Sequence, residues 1–290
     1  MLRFLGQFDP DRPRHFLSGW GGLGRFWMVA GGLFAALLTG LQIAGPPRAP
    51  IANLPADSLV ARHVPPQTGP RRPRVALLVG GIGLSLTDST AAIDRLPPAV
   101  SLAVMPGSGN LGRILPMLRA HKHEFLLSVP MEPRGFPMDD PDSATALMTS
   151  LSDQENAARL NRILGSAAGY VGLTNILGPL KGERLMSAPD LFGAVQKEAT
   201  ERGLFFIEAG TRGLSMKGRH ADVVLDDDPV NSAMLDARLD RLTHIALDKG
   251  SAVGIIALPR PVTLDRAAAW TKALGAKGVD LVPVSTLASF

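Results

Sequence analysis

The sequence predicts an α/β fold in which parallel strands form a barrel of the (β/α)7 type, preceded by one N-terminal transmembrane helix. From residue 74 onward, short aliphatic runs alternate with longer stretches of helical periodicity, which is the pattern of a parallel sheet covered by helices. Seven or eight such units recur, and that number favours a barrel. The 290 residues are 46% hydrophobic, which is enough for a sizeable core.

The transmembrane helix is predicted over residues 26–44, which read FWMVAGGLFAALLTGLQIA and carry no charge. At about 1.5 Å per residue, such a helix spans roughly 28 Å, close to the thickness of a bilayer's hydrocarbon core. A cleaved signal peptide is the alternative. A long polar segment precedes the apolar run and no clear small-x-small cleavage site follows it, so an uncleaved anchor is favoured.

The arginine distribution predicts the orientation of this helix. Four arginines precede it and only Arg48 follows it closely, so residues 1–25 are expected to form a cytoplasmic tail at the inner membrane, with the remainder in the periplasm. Eight prolines between positions 46 and 73 predict a stiff, extended linker over residues 45–73. The folded domain is expected over residues 74–290.

Composition excludes several functional classes. The net charge of +4 is modest, and the chain has one Tyr, three Trp and no alternation of basic with aromatic residues, so nucleic acid is not an expected partner. The absence of Cys excludes disulfides, thiolate zinc sites and a cysteine nucleophile.

The barrel prediction places the functional site at the carboxyl ends of the strands. No histidine occurs at these ends. Helices are predicted, among others, over 188–202 and 232–249. The predicted strands cover residues 75–79, 100–104, 125–129, 170–174, 204–208, 222–226, 252–258 and 280–284.

The strand-end motifs occur in the order LPPAVSLAVMP, HEFLLSVPMEP, GYVGLTNILGP, RGLFFIEAGT, VVLDDD, GSAVGIIALPRPVTL and GVDLVPVSTL. This ordered set resembles the divergent polysaccharide deacetylases, a branch of the NodB-like deacetylases, over about residues 74–287. The resemblance implies a distorted (β/α) barrel and a metal-dependent hydrolase of envelope glycan. In such a hydrolase an acidic pair after the first strand and histidines at later strand ends bind a divalent ion such as zinc.

The chain departs from the family at those ligand positions. The family's Asp-Asp is Gly80-Gly81, and the His before Pro-Met-Glu-Pro is Ser128. The His of Asn-His-Met is Ile176, and the late His is Leu258. Such residues supply too few lone pairs to hold a divalent ion, and without the ion no water is activated near neutral pH. The sequence therefore predicts no metal cofactor and no deacetylation by the family mechanism.

A polar set remains that the fold would gather around the former metal pocket. Within it, Glu132 and Glu208 could act as acid and base without a metal, or Glu132 could simply hold its loop by hydrogen bonds. Glu208 replaces the family's Asp, a conservative change. The predicted pocket residues are Ser128, Glu132, Asn175, Glu208, Thr211, Asp226 and Arg260.

Other motifs have structural explanations. The His-Lys-His run at 121–123 fits the negative end of a helix dipole. The aspartates at 226–228 lack the spaced ligands of a calcium loop and fit a turn before a helix. The glycines at 80–83 lack the third glycine of a dinucleotide loop, because Leu86 occupies its position.

These observations predict an envelope protein with a deacetylase-like barrel that has lost catalysis and binds cell-wall glycan or an envelope protein. Two alternatives remain open. The first is an active carbohydrate deacetylase or hydrolase with a non-standard site. The second is a scaffold that positions peptidoglycan enzymes and has no affinity for sugar.

Overall fold

The computed structural model describes residues 72–210, 219–228 and 230–288. The predicted cytoplasmic tail, the predicted transmembrane helix at 26–44 and the linker up to residue 71 lie outside this part of the chain. Among the described residues, no helix combines the length and the apolar character that a bilayer crossing requires.

Strands and helices alternate along the domain, close to the predicted positions. The strands are β1 (Arg74–Ile82), β2 (Ser101–Val104), β3 (Phe125–Ser128), β4 (Gly172–Thr174), β5 (Phe205–Glu208), β6 (Arg219–His220), β7 (Val223–Val224), β8 (Ser251–Ile256) and β9 (Asp280–Leu281). The helices are α1 (Leu86–Arg95), α2 (Leu111–Ala120), α3 (Asp153–Leu164), α4 (Glu183–Met186), α5 (Pro189–Glu201), α6 (Ser232–Lys249) and α7 (Pro261–Ala273).

The strands form one sheet in the order β6-β5-β4-β3-β2-β1-β8-β7, and β9 pairs with the start of β1. Every pairing between these strands is parallel. Helices lie between most successive strands, as the crossover connections of parallel pairing require. The predicted α/β class with a parallel sheet is confirmed. The last predicted strand is shorter than expected, because Pro283 has no N–H to donate and a 3₁₀ turn follows at Val284–Thr286.

One extended segment, residues 219–224, contacts both edges of the curled sheet. Its first half pairs with β5 and its second half pairs with β8. Between them, Ala221 N donates to the carbonyl of Glu208 at 3.0 Å and Asp222 N donates to the carbonyl of Val253 at 2.8 Å. The sequence predicted a single strand at 222–226. The structure has β6 and β7 instead, because the backbone changes partner between Ala221 and Asp222.

Side chains on the two faces of the sheet enter separate cores. Alternate residues such as Leu78, Leu126 and Ile255 belong to one hydrophobic cluster, to which strands along the whole sheet contribute side chains. Their neighbours Leu77 and Leu127 pack beneath the helices. Both faces are therefore buried, which explains why the strands are almost continuously apolar rather than alternating.

Two histidines lie at the end of α2, where the dipole interpretation placed them. His121 Nε2 lies 3.4 Å from Asp94 Oδ1 at the surface. The buried ring of His123 contacts the carbonyls of Val100 and Ile93, at 2.9 and 3.1 Å. The two imidazoles therefore have separate partners, and each of them makes contacts within the fold of the domain.

Replacing Asp222 with Ala is expected to destabilise the junction between the sheet edges. Asp222 Oδ2 accepts hydrogen bonds from Val253 N and Arg219 Nη2, both at 2.8 Å. Losing that acceptor leaves a buried N–H unpaired, so the free energy of unfolding should fall by about 1–3 kcal/mol in urea denaturation. The control Asp248→Ala, at an exposed position on α6, should change it by no more than about 0.5 kcal/mol. Equal effects of the two variants would contradict this role of Asp222.

Candidate functional site

Two pairs of residues meet where the metal ligands would be expected. Ile176, which follows β4, is buried with 1% exposure and packs on the backbone of Gly80. A Cβ on Gly80 would overlap Ile176 Cγ2 and lie 2.9 Å from the carbonyl oxygen of Ala257. The glycine is therefore required by the isoleucine that faces it.

Leu258 and Gly81 form the second pair. A Cβ on Gly81 would lie 3.0 Å from Leu258 Cδ2 and 3.1 Å from Pro259 Cδ. The backbone of Gly81 also has a φ of +71°, a region that side-chain-bearing residues seldom adopt. We call Ile176 and Leu258, seated on Gly80 and Gly81, the apolar plug.

Asp226 fixes the backbone that presents Leu258. Its Oδ1 accepts from Ala257 N at 2.7 Å, and its Oδ2 accepts from Leu258 N at 2.9 Å. Burial raises the pKa of the Asp226 carboxyl above its ordinary value, while these two N–H groups and the positive charge of Arg260 oppose the rise. The carboxylate therefore acts as a clamp on the end of β8.

Ser128 ends β3 at a position fully closed to solvent. In the sheet register it stands opposite Thr174 of β4. Its Oγ has no hydrogen-bond partner among the described residues. A buried hydroxyl without a partner is uncommon, and here it is the single polar side chain at the five positions, 80, 81, 128, 176 and 258, where ligands would be expected.

A divalent ion does not fit this arrangement. The space that the ligands would occupy holds the Ile176 and Leu258 side chains, and a carboxylate grown from Gly80 would first meet Ile176. Within residues 72–210, 219–228 and 230–288, no three His, Asp or Glu side chains are grouped closely enough to bind a metal. One serine hydroxyl cannot replace a set of anionic or imidazole ligands.

Glu132 has partners in the outer layer of helices. Its Oε2 accepts from the backbone N and the Oγ1 of Thr149, both at 2.6 Å. Its Oε1 pairs with Arg184 Nη1 at 3.1 Å, and the Glu132 side chain is 3% exposed. Both carboxylate oxygens are thus engaged, and the residue ties the loop after β3 to the start of α3 and to α4.

Asn175 joins two strand ends. Its Oδ1 accepts from Ala209 N at 2.7 Å, and its Nδ2 donates to the carbonyl of Lys181 at 2.6 Å. Glu208, at the end of β5, is 2% exposed. The structure thus brings Asn175 next to the end of Glu208's strand.

Two predicted pocket residues remain, Arg260 and Thr211. Arg260 precedes α7 and is exposed, with its charge close enough to act on Asp226. Thr211 lies outside the described residues. The sequence interpretation missed Thr149 and Arg184 as partners of Glu132. No local pattern marks them, because they are 17 and 52 positions away.

The chain is similar to one described protein family and to two relatives. Residues 77–288 match the family described as divergent polysaccharide deacetylase. An uncharacterized protein of Haemophilus influenzae is 23% identical over 201 residues, which are 66% of this chain and 68% of the relative. The uncharacterized protein YibQ of Escherichia coli K12 is 28% identical over 181 residues, covering 58% of this chain and 53% of YibQ.

A solved structure has a similar fold. The crystal structure of an uncharacterized protein from Agrobacterium tumefaciens C58 matches with a TM-score of 0.71 and 31% sequence identity. The match covers 79% of this chain and 94% of that protein. The similarity therefore extends over almost all of the related chain.

The apolar plug predicts coupled effects of substitutions at Gly80 and Ile176. Gly80→Ala should lower the free energy of unfolding by about 1–3 kcal/mol through overpacking, and Ile176→Ala by about 2–5 kcal/mol through a cavity. In the double variant the alanine methyl enters the space that the isoleucine leaves. The combined loss should therefore be smaller than the sum by at least about 0.5 kcal/mol in urea denaturation.

Gly112→Ala is the matched control, because the Cβ it would add meets no atom within 4 Å other than those of its chain neighbours and of the backbone of its own helix. It should be neutral or slightly stabilising in the helix. Strictly additive losses for Gly80→Ala and Ile176→Ala would show that the two residues do not interlock.

The raised pKa of Asp226 predicts a pH dependence of stability. The folded state holds the Asp226 proton more tightly than the unfolded state, in which the pKa of this carboxyl lies near its ordinary value of 3.8. The contribution of Asp226 to stability is therefore fully present below that value and is lost as the pH rises through the raised pKa. Lowering the pH from 7 towards 4 should make the wild type progressively more stable relative to Asp226→Asn. Parallel stability curves for the two proteins would refute this assignment.

Proposed function

The chain belongs to the divergent polysaccharide deacetylase family, as its motif order predicts, and on that basis we propose that it serves in envelope glycan metabolism as a metal-free binding protein. It binds cell-wall glycan or an envelope protein and does not deacetylate. The observation that carries this proposal is the apolar plug. Two aliphatic side chains occupy the positions where the family mechanism needs metal ligands.

The chemistry of amide hydrolysis supports the loss of catalysis. A bound divalent ion would lower the pKa of a water molecule and polarise the acetyl carbonyl. Ile176 and Leu258 offer neither lone pairs nor charge. Glu132 is held by Thr149 and Arg184, so those contacts would have to break before it could accept a proton from substrate.

The proposed location follows from the N-terminal sequence. Residues 26–44 are long and apolar enough for a membrane anchor, and the arginines before them favour a cytoplasmic N-terminus. The domain would then face the periplasm, where the glycan is. In the domain itself, the segment at 219–224 that bonds both sheet edges supports the distorted seven-unit barrel.

Metal analysis and an acetate-release assay on the purified full-length chain test the loss of catalysis. Acetylated chito-oligosaccharides serve as substrate, and an active polysaccharide deacetylase serves as positive control. We expect no stoichiometric metal after dialysis and no acetate above the buffer level. Stoichiometric zinc with acetate release, abolished by Glu132→Gln or Glu208→Gln, would establish the active hydrolase instead.

Binding measurements distinguish the glycan-binding role from the scaffold role, which requires no affinity for sugar. The full-length chain is titrated with the same oligosaccharides and sedimented with purified peptidoglycan. Saturable binding supports a glycan ligand. If neither the oligosaccharides nor the peptidoglycan binds, the glycan-binding form of the proposal is wrong and an envelope protein remains as the partner.

A further inference from the structure

A groove of about 310 Å³ runs between α3 and α5, on the outer layer of helices. It is separate from the strand-end positions of the apolar plug. Its apolar lining residues are Leu147, Ala157, Leu160, Leu185, Leu191, Ala194 and Val195.

The groove is open because small residues stand at its mouth. Ala157 of α3 and Ala194 of α5 are both exposed, whereas Leu160 and Val195 beneath them are buried. Because Ala157 and Ala194 carry only a methyl group each, the groove between the two helices stays accessible from outside. The space suits inserted aliphatic side chains, and none of the lining residues is aromatic, so the groove offers no ring on which a sugar could stack.

The rim of the groove is acidic, although the chain as a whole carries a net charge of +4. Glu198 is neutralised by Arg202 at 2.6 Å, and Glu201 lies 3.8 Å from Lys197. The charged residues of the lining are Asp153, Asp190, Glu198, Glu201 and Lys197.

Two of these rim carboxylates are available to a ligand. Asp153 and Asp190 are exposed, and neither makes an ion pair among the described residues. They stand in the first turns of α3 and α5, on either side of the groove. A cationic group could therefore pair with either of them without displacing an existing partner.

The Pro-Met-Glu-Pro loop shapes one end of this groove. Leu147 exchanges backbone hydrogen bonds with Pro130 and Glu132, both at 2.9 Å, and Leu185 N donates to the Glu132 carbonyl at 3.2 Å. Leu147 and Leu185 are lining residues. The side-chain contacts of Glu132 with Thr149 and Arg184 hold the same region. The loop therefore builds an outer surface, in addition to its place after β3.

We propose that the α3/α5 groove docks a basic amphipathic helix of an envelope partner protein. Aliphatic side chains of that helix would insert over Leu160 and Val195, in the manner of a helix laid into an apolar groove. Its Lys or Arg side chains would pair with Asp153 and Asp190. The inference rests on the proposed function only in placing the partner in the envelope, because neither the groove nor its test depends on metal or on acetate release.

A fluorescent reporter placed beside the groove tests this docking. The chain has no cysteine, so Gln154→Cys, exposed on α3, takes a single environment-sensitive label. The probe is a synthetic amphipathic helix of leucine and lysine, about 18 residues long so that it is helical when bound. The full-length labelled chain is titrated with this peptide and with the same peptide carrying glutamate for lysine.

We expect a saturable fluorescence change with the lysine peptide and none with the glutamate peptide. Ala194→Arg fills the groove mouth and should weaken binding at least about tenfold. Asp190→Lys reverses a rim charge and should weaken it about two- to fivefold, an effect that added salt reduces. The matched controls Ala237→Arg and Asp248→Lys, at exposed positions on α6, should leave the affinity unchanged.

The remaining outcomes would overturn the proposal. These are no saturable change at Gln154→Cys, an equal response to the glutamate peptide, or an equal response from a label at Ala237→Cys. Unchanged affinity in Ala194→Arg would also overturn it. A groove that binds the peptide while the metal and acetate tests reveal an active deacetylase would leave the docking site intact and refute only the proposed loss of catalysis.

Discussion

The interlocking of Gly80 and Gly81 with Ile176 and Leu258 is the constraint on which the centre of this domain depends. The carboxyl ends of parallel strands lie at the same edge of the sheet, so side chains at neighbouring strand ends share the same space. In this chain the space is filled with aliphatic groups, and Ile176 and Leu258 can approach β1 because Gly80 and Gly81, near its end, carry no side chains. Asp226 adds the clamp that keeps Leu258 in place.

This packing separates the fold from the chemistry that its family implies. A glycine pair and an aliphatic pair are complementary, so a side chain restored at Gly80 or Gly81 would clash with Ile176 or Leu258. The buried hydroxyl of Ser128 is what remains of polarity there. The domain keeps the parallel α/β architecture of its family, and at these strand ends it is stabilised by dispersion and burial of apolar area.

The Pro-Met-Glu-Pro motif illustrates how one segment serves two faces of the protein. It follows β3, where a catalytic strand end would be, yet Glu132 directs its carboxylate to Thr149 and Arg184 in the helical layer. Met131 lies in the apolar cluster beneath α3 and α5. The motif thus helps to position the helices that border the α3/α5 groove.

Much of the fold could be predicted from the sequence because strands and helices are encoded locally. Aliphatic runs gave the strand positions within a few residues, and the helices at 188–202 and 232–249 differ from α5 and α6 by at most one residue at each end. Prediction was less accurate where a long-range contact determines the bounds of a strand. The segment after residue 218 divides into β6 and β7 because it pairs with β5 and then with β8, and no local pattern encodes that change.

By itself the sequence determined the family, and it predicts the loss of metal ligands, since both depend on which residue types occupy which motif positions. Only the tertiary structure decided that Ile176 packs on Gly80, although the two residues are 96 positions apart in the chain. It likewise decided that Glu132 faces the helices, and that Ala157 and Ala194 leave a groove with an acidic rim. Each of these depends on the distance between atoms far apart in sequence, which only the packed chain defines.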